Sequence, residues 1–273
     1  MCACGRLQVR ALLQVVQLRT RAPLLSPVST SRLGTMSEAR TMWPKVVLFG
    51  DSLTQYSFSL DGCWGALVSD LLQRKCDVIN RGFSGYNVRW CRLMLPQLVP
   101  KEVAKETVAI TIFLGANDSN DFELNSRQHV PLEEYREGLG SMIDHLLSVG
   151  VSRDKIILIS PPAFAAEAWE KQCIMKGKPL SKNNKTTGEY AKVCMSVAKE
   201  YGTQTVDLYT SMMKSPNWEE MLIDGLHLSQ SGSKHLFDLL KPVMEQLTSN
   251  LPMKFPLWDQ VDIENPKSSL LSQ

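Results

Sequence analysis

TVAITIFL, residues 107–114, decides how this chain folds. β-branched residues fill most of the stretch, and neither alternate set of positions is polar enough to face water. A strand apolar on both sides belongs inside a parallel sheet that helices cover on both faces. Working outward, Lys45–Gly50 (KVVLFG), Cys76–Asn80 (CDVIN), Lys155–Ser160 (KIILIS) and Thr205–Leu208 (TVDL) read as further strands. The segments between them read as helices. Leu132, Tyr135, Leu139, Met142, Ile143 and Leu146 recur at three- and four-residue steps, and Gly150 follows as a stop. Leu236, Phe237, Leu240, Val243 and Leu247 form a second apolar face, in which Pro242 is expected to kink the helix. This alternation predicts an α/β domain, a three-layer α/β/α arrangement around a doubly wound parallel sheet of about five strands.

Bulk properties narrow the function classes. The 273 residues suffice for one sizeable domain, placed at residues 43–250, with residues 251–273 read as a C-terminal tail. The 30 basic and 28 acidic side chains leave a net charge of +2, which gives no argument for a nucleic-acid partner. No apolar run approaches the ~18–20 residues needed to span a bilayer, so the chain does not read as an integral membrane protein. The seven cysteines are odd in number and lack paired C-x-x-C spacing, which predicts free thiols and no zinc site. Neither a P-loop nor a G-x-G-x-x-G stretch follows a strand, which sets a nucleotide-binding reading aside.

Sheets of this kind place their sites at the carboxyl ends of the strands. The first strand runs into Gly50, Asp51 and Ser52; taken alone, Ser52 reads as a helix cap. The second runs into NRGFSGY, residues 80–86, where Gly85 alone reads as a turn glycine. The third ends in Leu114, Gly115, Ala116, Asn117 and Asp118, where Asn117 alone reads as a turn asparagine. Late in the chain comes DGLHLS, residues 224–229. Of four histidines, His145 and His235 fall in helical segments and His129 in a polar loop. Only His227 follows an aspartate by three residues in a glycine-containing loop.

Together these residues supply every part an ester hydrolase needs. Ser52 is the candidate nucleophile, His227 its base and Asp224 the group that orients the imidazole. The candidate oxyanion donors are the N–H of Ser52, the N–H of Gly85 and the side-chain NH₂ of Asn117. No G-x-S-x-G elbow occurs, and the nucleophile follows the first strand, which argues against an α/β-hydrolase fold. The connections 119–131 and 161–185 follow strand ends and carry Phe122, Phe164 and Trp169, read either as pocket lining or as ordinary core packing.

These blocks resemble the GDSL lipase/esterase family, also called SGNH hydrolases, over about residues 45–245. The family's Ser, Gly, Asn and His match Ser52, Gly85, Asn117 and His227, with Asp224 in the D-x-x-H motif. NRGFSGYNVRW (80–90), FLGANDS (113–119), HVPLEEY (129–135) and DGLHLS (224–229) are similar to its isoamyl acetate-hydrolysing esterase subfamily. The resemblance implies a flavodoxin-like SGNH hydrolase fold, no metal or organic cofactor, and a small-molecule ester substrate. It implies hydrolysis of short-chain acyl esters such as acetate esters, or of lipid esters, with Asp51 as structural support of the nucleophile loop. The same triad serves sugar O-deacetylation and acyl transfer, and a silent binding module of the same fold is the non-enzyme alternative.

Residues 1–42 stand apart as an extension. No acidic residue precedes Glu38, while Arg6, Arg10, Arg19, Arg21 and Arg32 are interspersed with leucines and valines. The expected location is cytoplasmic; the Arg-rich, acid-free start makes a mitochondrial transit peptide the alternative.

Overall fold

The computed structural model describes residues 42–60 and 63–271. The expectations for residues 1–41, a targeting or upstream-start extension, lie outside the described residues.

Strand β1 (Lys45–Gly50) passes directly into the four-residue helix α1 (Ser52–Gln55), and α2 (Trp64–Leu71) leads to β2 (Asp77–Gly82). Helices α3 (Val88–Leu98) and α4 (Lys101–Glu106) precede β3 (Thr107–Phe113). After the short α5 (Phe122–Asn125), the long α6 (Leu132–Ser148) returns the chain to β4 (Ile156–Ile159). Then come α7 (Ala166–Met175), α8 (Asn184–Tyr201) and β5 (Gln204–Val206). The chain continues through α9 (Leu208–Met213), α10 (Gln230–Thr248) and α11 (Pro266–Leu270).

The five strands are parallel, in the order β2-β1-β3-β4-β5. Alternate residues of each strand face opposite layers. Val46, Leu48, Ala109, Ile157 and Ile159 pack in one core with Trp64 and Val68 of α2 and Leu236 and Leu240 of α10. Val47, Phe49, Ile110, Ile112 and Leu158 pack in the other with Leu95 of α3, Leu139 of α6 and Val197 of α8. The three-layer arrangement thus follows from strands whose two faces are both apolar.

Strand bounds differ from those expected, and β5 is Gln204–Val206 rather than 205–208, with Leu208 inside α9. The second strand runs Asp77–Gly82 rather than 76–80, because Arg81 and Gly82 pair with Phe49 and Gly50 of β1. Helix α10 continues as helix through Pro242. The proline and Asp238, whose carbonyl loses its helical partner, are both on the exposed face of the helix, where water can take that partner's place. The stretch after α10 is tied back to the domain: Arg74 Nη2 donates to the carbonyls of Phe255 (2.6 Å) and Pro256 (2.7 Å).

Strand order reverses between β1 and β3, and such a switch point opens a crevice beyond the carboxyl ends of the strands. Gly50 lies in register with Gly82 of β2 and with Phe113 of β3. Three strands therefore end at one level, and the loops that leave them meet.

Candidate active site

The segments leaving these strands carry Ser52, at the start of α1, and Gly85 and Asn117, and the loop before α10 brings Asp224 and His227 against them. His227 Nε2 lies 3.0 Å from Ser52 Oγ, and His227 Nδ1 lies 2.8 Å from Asp224 Oδ2. Asp224 Oδ1 accepts the backbone N–H groups of Leu226 (2.9 Å) and His227 (2.8 Å). Burial pushes the Asp224 carboxyl up, but the His227 ring and these two N–H groups outweigh it, and the group is held below the usual carboxylate range. An ionised carboxylate only accepts, so Nδ1 carries the proton and Nε2 is left to accept from the serine hydroxyl.

The helix-cap alternative for Ser52 fails on a local detail. Asp51 is the N-cap of α1, its Oδ1 accepting from Leu53 N at 2.9 Å, and Ser52 is the first helical residue. The Ser52 hydroxyl is thus free of capping duty and points at His227. The first N–H of a helix has no intrahelical acceptor, so that of Ser52 remains available. Asp51 is fully buried, and burial raises its carboxyl to about 6 against the Leu53 N–H.

Gly85 has φ +82°, in the left-handed region that favours glycine. Its carbonyl accepts from Gln128 Nε2 at 2.9 Å, and Gly85 lines the same cleft as Asn117. Asn117 Oδ1 accepts from the same Gln128 amide at 3.2 Å. Asn117 Nδ2 donates to the Tyr86 carbonyl at 2.8 Å and has only a long contact, 3.4 Å, to Asp51 Oδ2. One of its two hydrogens is therefore well held, and the second is available to a ligand oxygen.

Gly82 fixes the floor beneath the nucleophile. A Cβ there would lie 1.9 Å from Gln55 N and 2.5 Å from Thr54 C, inside the backbone of α1. Gly82→Ala is expected to destabilise the fold by at least about 2–3 kcal/mol, since the helix backbone must move. Chemical denaturation checks it; wild-type stability would mean that α1 shifts freely.

Two spaces meet at Ser52 and His227. One, of ≈ 290 Å³, is walled mainly by Leu53, Tyr56, Trp64, Ile223 and Leu228. The other, of ≈ 430 Å³, is more polar and includes Gly85, Asn117, Gln128, Trp169 and Lys182 in its walls. The rings of Tyr56 and Trp169 flank that of His227, with centroids 6.2 and 5.9 Å away. Of the three aromatics in the long connections, only Trp169 lines the cleft. Phe164 is buried in the core, and Phe122 is exposed against His129.

Gln128 and Lys182 escape a reading of the sequence, because each acts through contacts distant along the chain; their one visible signal is that they lie in the two long connections after β3 and β4. Among the described residues no group of three His, Cys, Asp or Glu side chains is arranged to hold a metal ion, and no helix is long and apolar enough to cross a membrane. Cys63, Cys76, Cys91, Cys173 and Cys194 are free thiols.

Residues 48–235 match the GDSL-like Lipase/Acylhydrolase family. A mouse protein, "Isoamyl acetate-hydrolyzing esterase 1 homolog", is 48% identical over 237 residues, 86% of this chain and 95% of its own. The human protein of that name is 48% identical over 231 residues, covering 84% of this chain and 93% of its own. The crystal structure of the lipase/acylhydrolase from Enterococcus faecalis superimposes with a TM-score of 0.59 at 25% identity, covering 78% of this chain and 100% of that one.

Proposed function

This chain belongs to the GDSL-like lipase/acylhydrolase family and is a carboxylic ester hydrolase of that type, and we propose that it cleaves short-chain acyl esters through an acyl intermediate on Ser52. The observation that carries the reading is the continuous chain Asp224–His227–Ser52, with contacts of 2.8 and 3.0 Å, opening on a cleft.

In the first half-reaction His227 Nε2 takes the Ser52 proton as Oγ attacks the ester carbonyl. The negative charge that develops on the carbonyl oxygen meets three donors: the N–H of Ser52, the N–H of Gly85 and the Asn117 NH₂. His227 then gives its proton to the departing alcohol oxygen, and the C–O bond breaks to leave acyl-Ser52. In the second half-reaction water, losing a proton to His227, attacks that acyl carbon. Collapse of the intermediate returns the proton to Ser52 and releases the acid. Asp224 stabilises the imidazolium in both halves.

An ester has two arms on either side of its carbonyl, and the site has two spaces on either side of its nucleophile. Their sizes fall at the lower end of the ~300–1,000 Å³ range of small-molecule pockets, which favours small substrates. The relatives named for isoamyl acetate support the same substrate class. Comparison of p-nitrophenyl acetate with p-nitrophenyl palmitate tests it: the acetate is expected to have the higher kcat/KM, and a preference for the palmitate would refute a short-chain assignment.

Asn117→Ala is expected to lower kcat by about 10²–10³ with little change in KM, the loss of one oxyanion donor. A rise in KM at constant kcat would instead make Asn117 a substrate-binding residue.

A further inference from the structure

Among the described residues, the mechanism leaves one buried basic side chain unused. Lys182 lies in the connection between α7 and α8, with only 8% of its surface exposed, and lines the polar cleft. Its Nζ donates to the carbonyl of Ala116, the residue before Asn117. It forms no ion pair among the described residues, although the buried carboxylates of Asp51 and Asp118 lie near enough to pull its pKa up. Burial wins and brings it down to about 8. An ammonium kept this far from water is costly unless its charge or its donors are needed there.

Its neighbours hold the same loop. Ser181 Oγ donates to Asn120 Oδ1 at 2.7 Å, and Asn120 Nδ2 donates to the Asn117 carbonyl at 2.6 Å. The backbone N–H of Asp121 donates to the Ser181 carbonyl at 2.6 Å. The loop carrying Asn117 is thus clamped from outside, at the residue before Asn117 and at its own carbonyl. The Asn117 NH₂ also lies 3.4 Å from Asp51 Oδ2, so a negative group stands close to where an oxyanion would form.

Resting on the hydrolase reading above, we propose that Lys182 is a positioning residue for the oxyanion site: it fixes the Ala116 carbonyl, and with it the aim of the Asn117 NH₂. Lys182 touches no reacting atom. It acts through Asn117, and this distinguishes it from a residue that merely supports the fold.

The test is a mutant cycle on p-nitrophenyl acetate hydrolysis, with thermal melts as a check on folding. K182M is expected to lower kcat by about 10–100-fold with KM within about twofold, the scale of a misplaced catalytic group. K182R, which keeps the charge and the donors, is expected to recover kcat to within about fivefold of wild type. The double variant K182M/N117A is expected to be no slower than N117A alone, because both remove one function. Wild-type kcat in K182M, multiplying effects in the double variant, or a change confined to KM would each overturn the proposal. If K182M does not fold, S181A probes the same clamp by losing one hydroxyl; a kcat loss of about 3–10-fold that vanishes in the N117A background supports the proposal, and an unchanged kcat overturns it. A wild-type protein that turns over no ester and resists fluorophosphonate would overturn the hydrolase reading, and this proposal with it. An active wild type with an indifferent Lys182 overturns this proposal alone.

Discussion

Ser52→Ala is expected to lower ester turnover by about 10⁴–10⁶ while leaving the fold intact. The two halves of that expectation have separate causes. The Ser52 hydroxyl has one partner, His227 Nε2 at 3.0 Å, so its loss removes the nucleophile and frees a half-buried histidine that water can reach. The cap of α1 is unaffected, because Asp51 provides it. Stability should therefore stay within about 0.5 kcal/mol of wild type, whereas removing a serine that capped the helix would cost about 1 kcal/mol. The N–H donors remain, so a small residual rate above the uncatalysed reaction is expected from water attack in the oxyanion site. Steady-state assays with a denaturation curve read both quantities. Wild-type turnover would remove Ser52 from the chemistry; lost turnover with a matching loss of fold would leave its role structural.

Asp224→Asn is expected to lower kcat by about 10⁴ at neutral pH, and the reason lies in the hydrogen-bond directions. Asp224 Oδ1 accepts two backbone N–H groups, from Leu226 and His227, while Oδ2 faces His227 Nδ1. An asparagine must keep its carbonyl oxygen on the two N–H groups, since its NH₂ would meet donors there. Its NH₂ then faces Nδ1, which becomes an acceptor. The ring proton moves to Nε2, and Nε2 can no longer accept from Ser52. Geometry is kept, but the tautomer is wrong. Retention of more than about a tenth of wild-type kcat would show that Asp224 does not set the tautomer.

The sheet was readable because its strands need nothing from outside themselves. Thr107–Phe113 is apolar on both faces, and its burial on both faces is what that pattern demands. The end of β2 was not readable in the same way. Arg81 and Gly82 carry no strand pattern and are held by register with β1. The residues that meet as Asp224–His227–Ser52 could be picked out because Asp224 and His227 are three residues apart, and because Ser52 follows a strand and a glycine. Gln128 and Lys182 did not, since Gln128 bridges Gly85 and Asn117 from 43 and 11 residues away and Lys182 reaches Ala116 across 66. Local pattern locates side chains that a strand end or a short loop presents; contacts across tens of residues are found only when the chain has folded.

The most direct test of the central claim is fluorophosphonate labelling of the folded protein, with the modified residue mapped by mass spectrometry and turnover followed in parallel. An activated serine paired with His227 beside an oxyanion site predicts one adduct, on Ser52, formed in proportion to the loss of ester hydrolysis. A folded protein that hydrolyses esters while remaining unlabelled at Ser52, or that is labelled elsewhere with Ser52 intact, would contradict it.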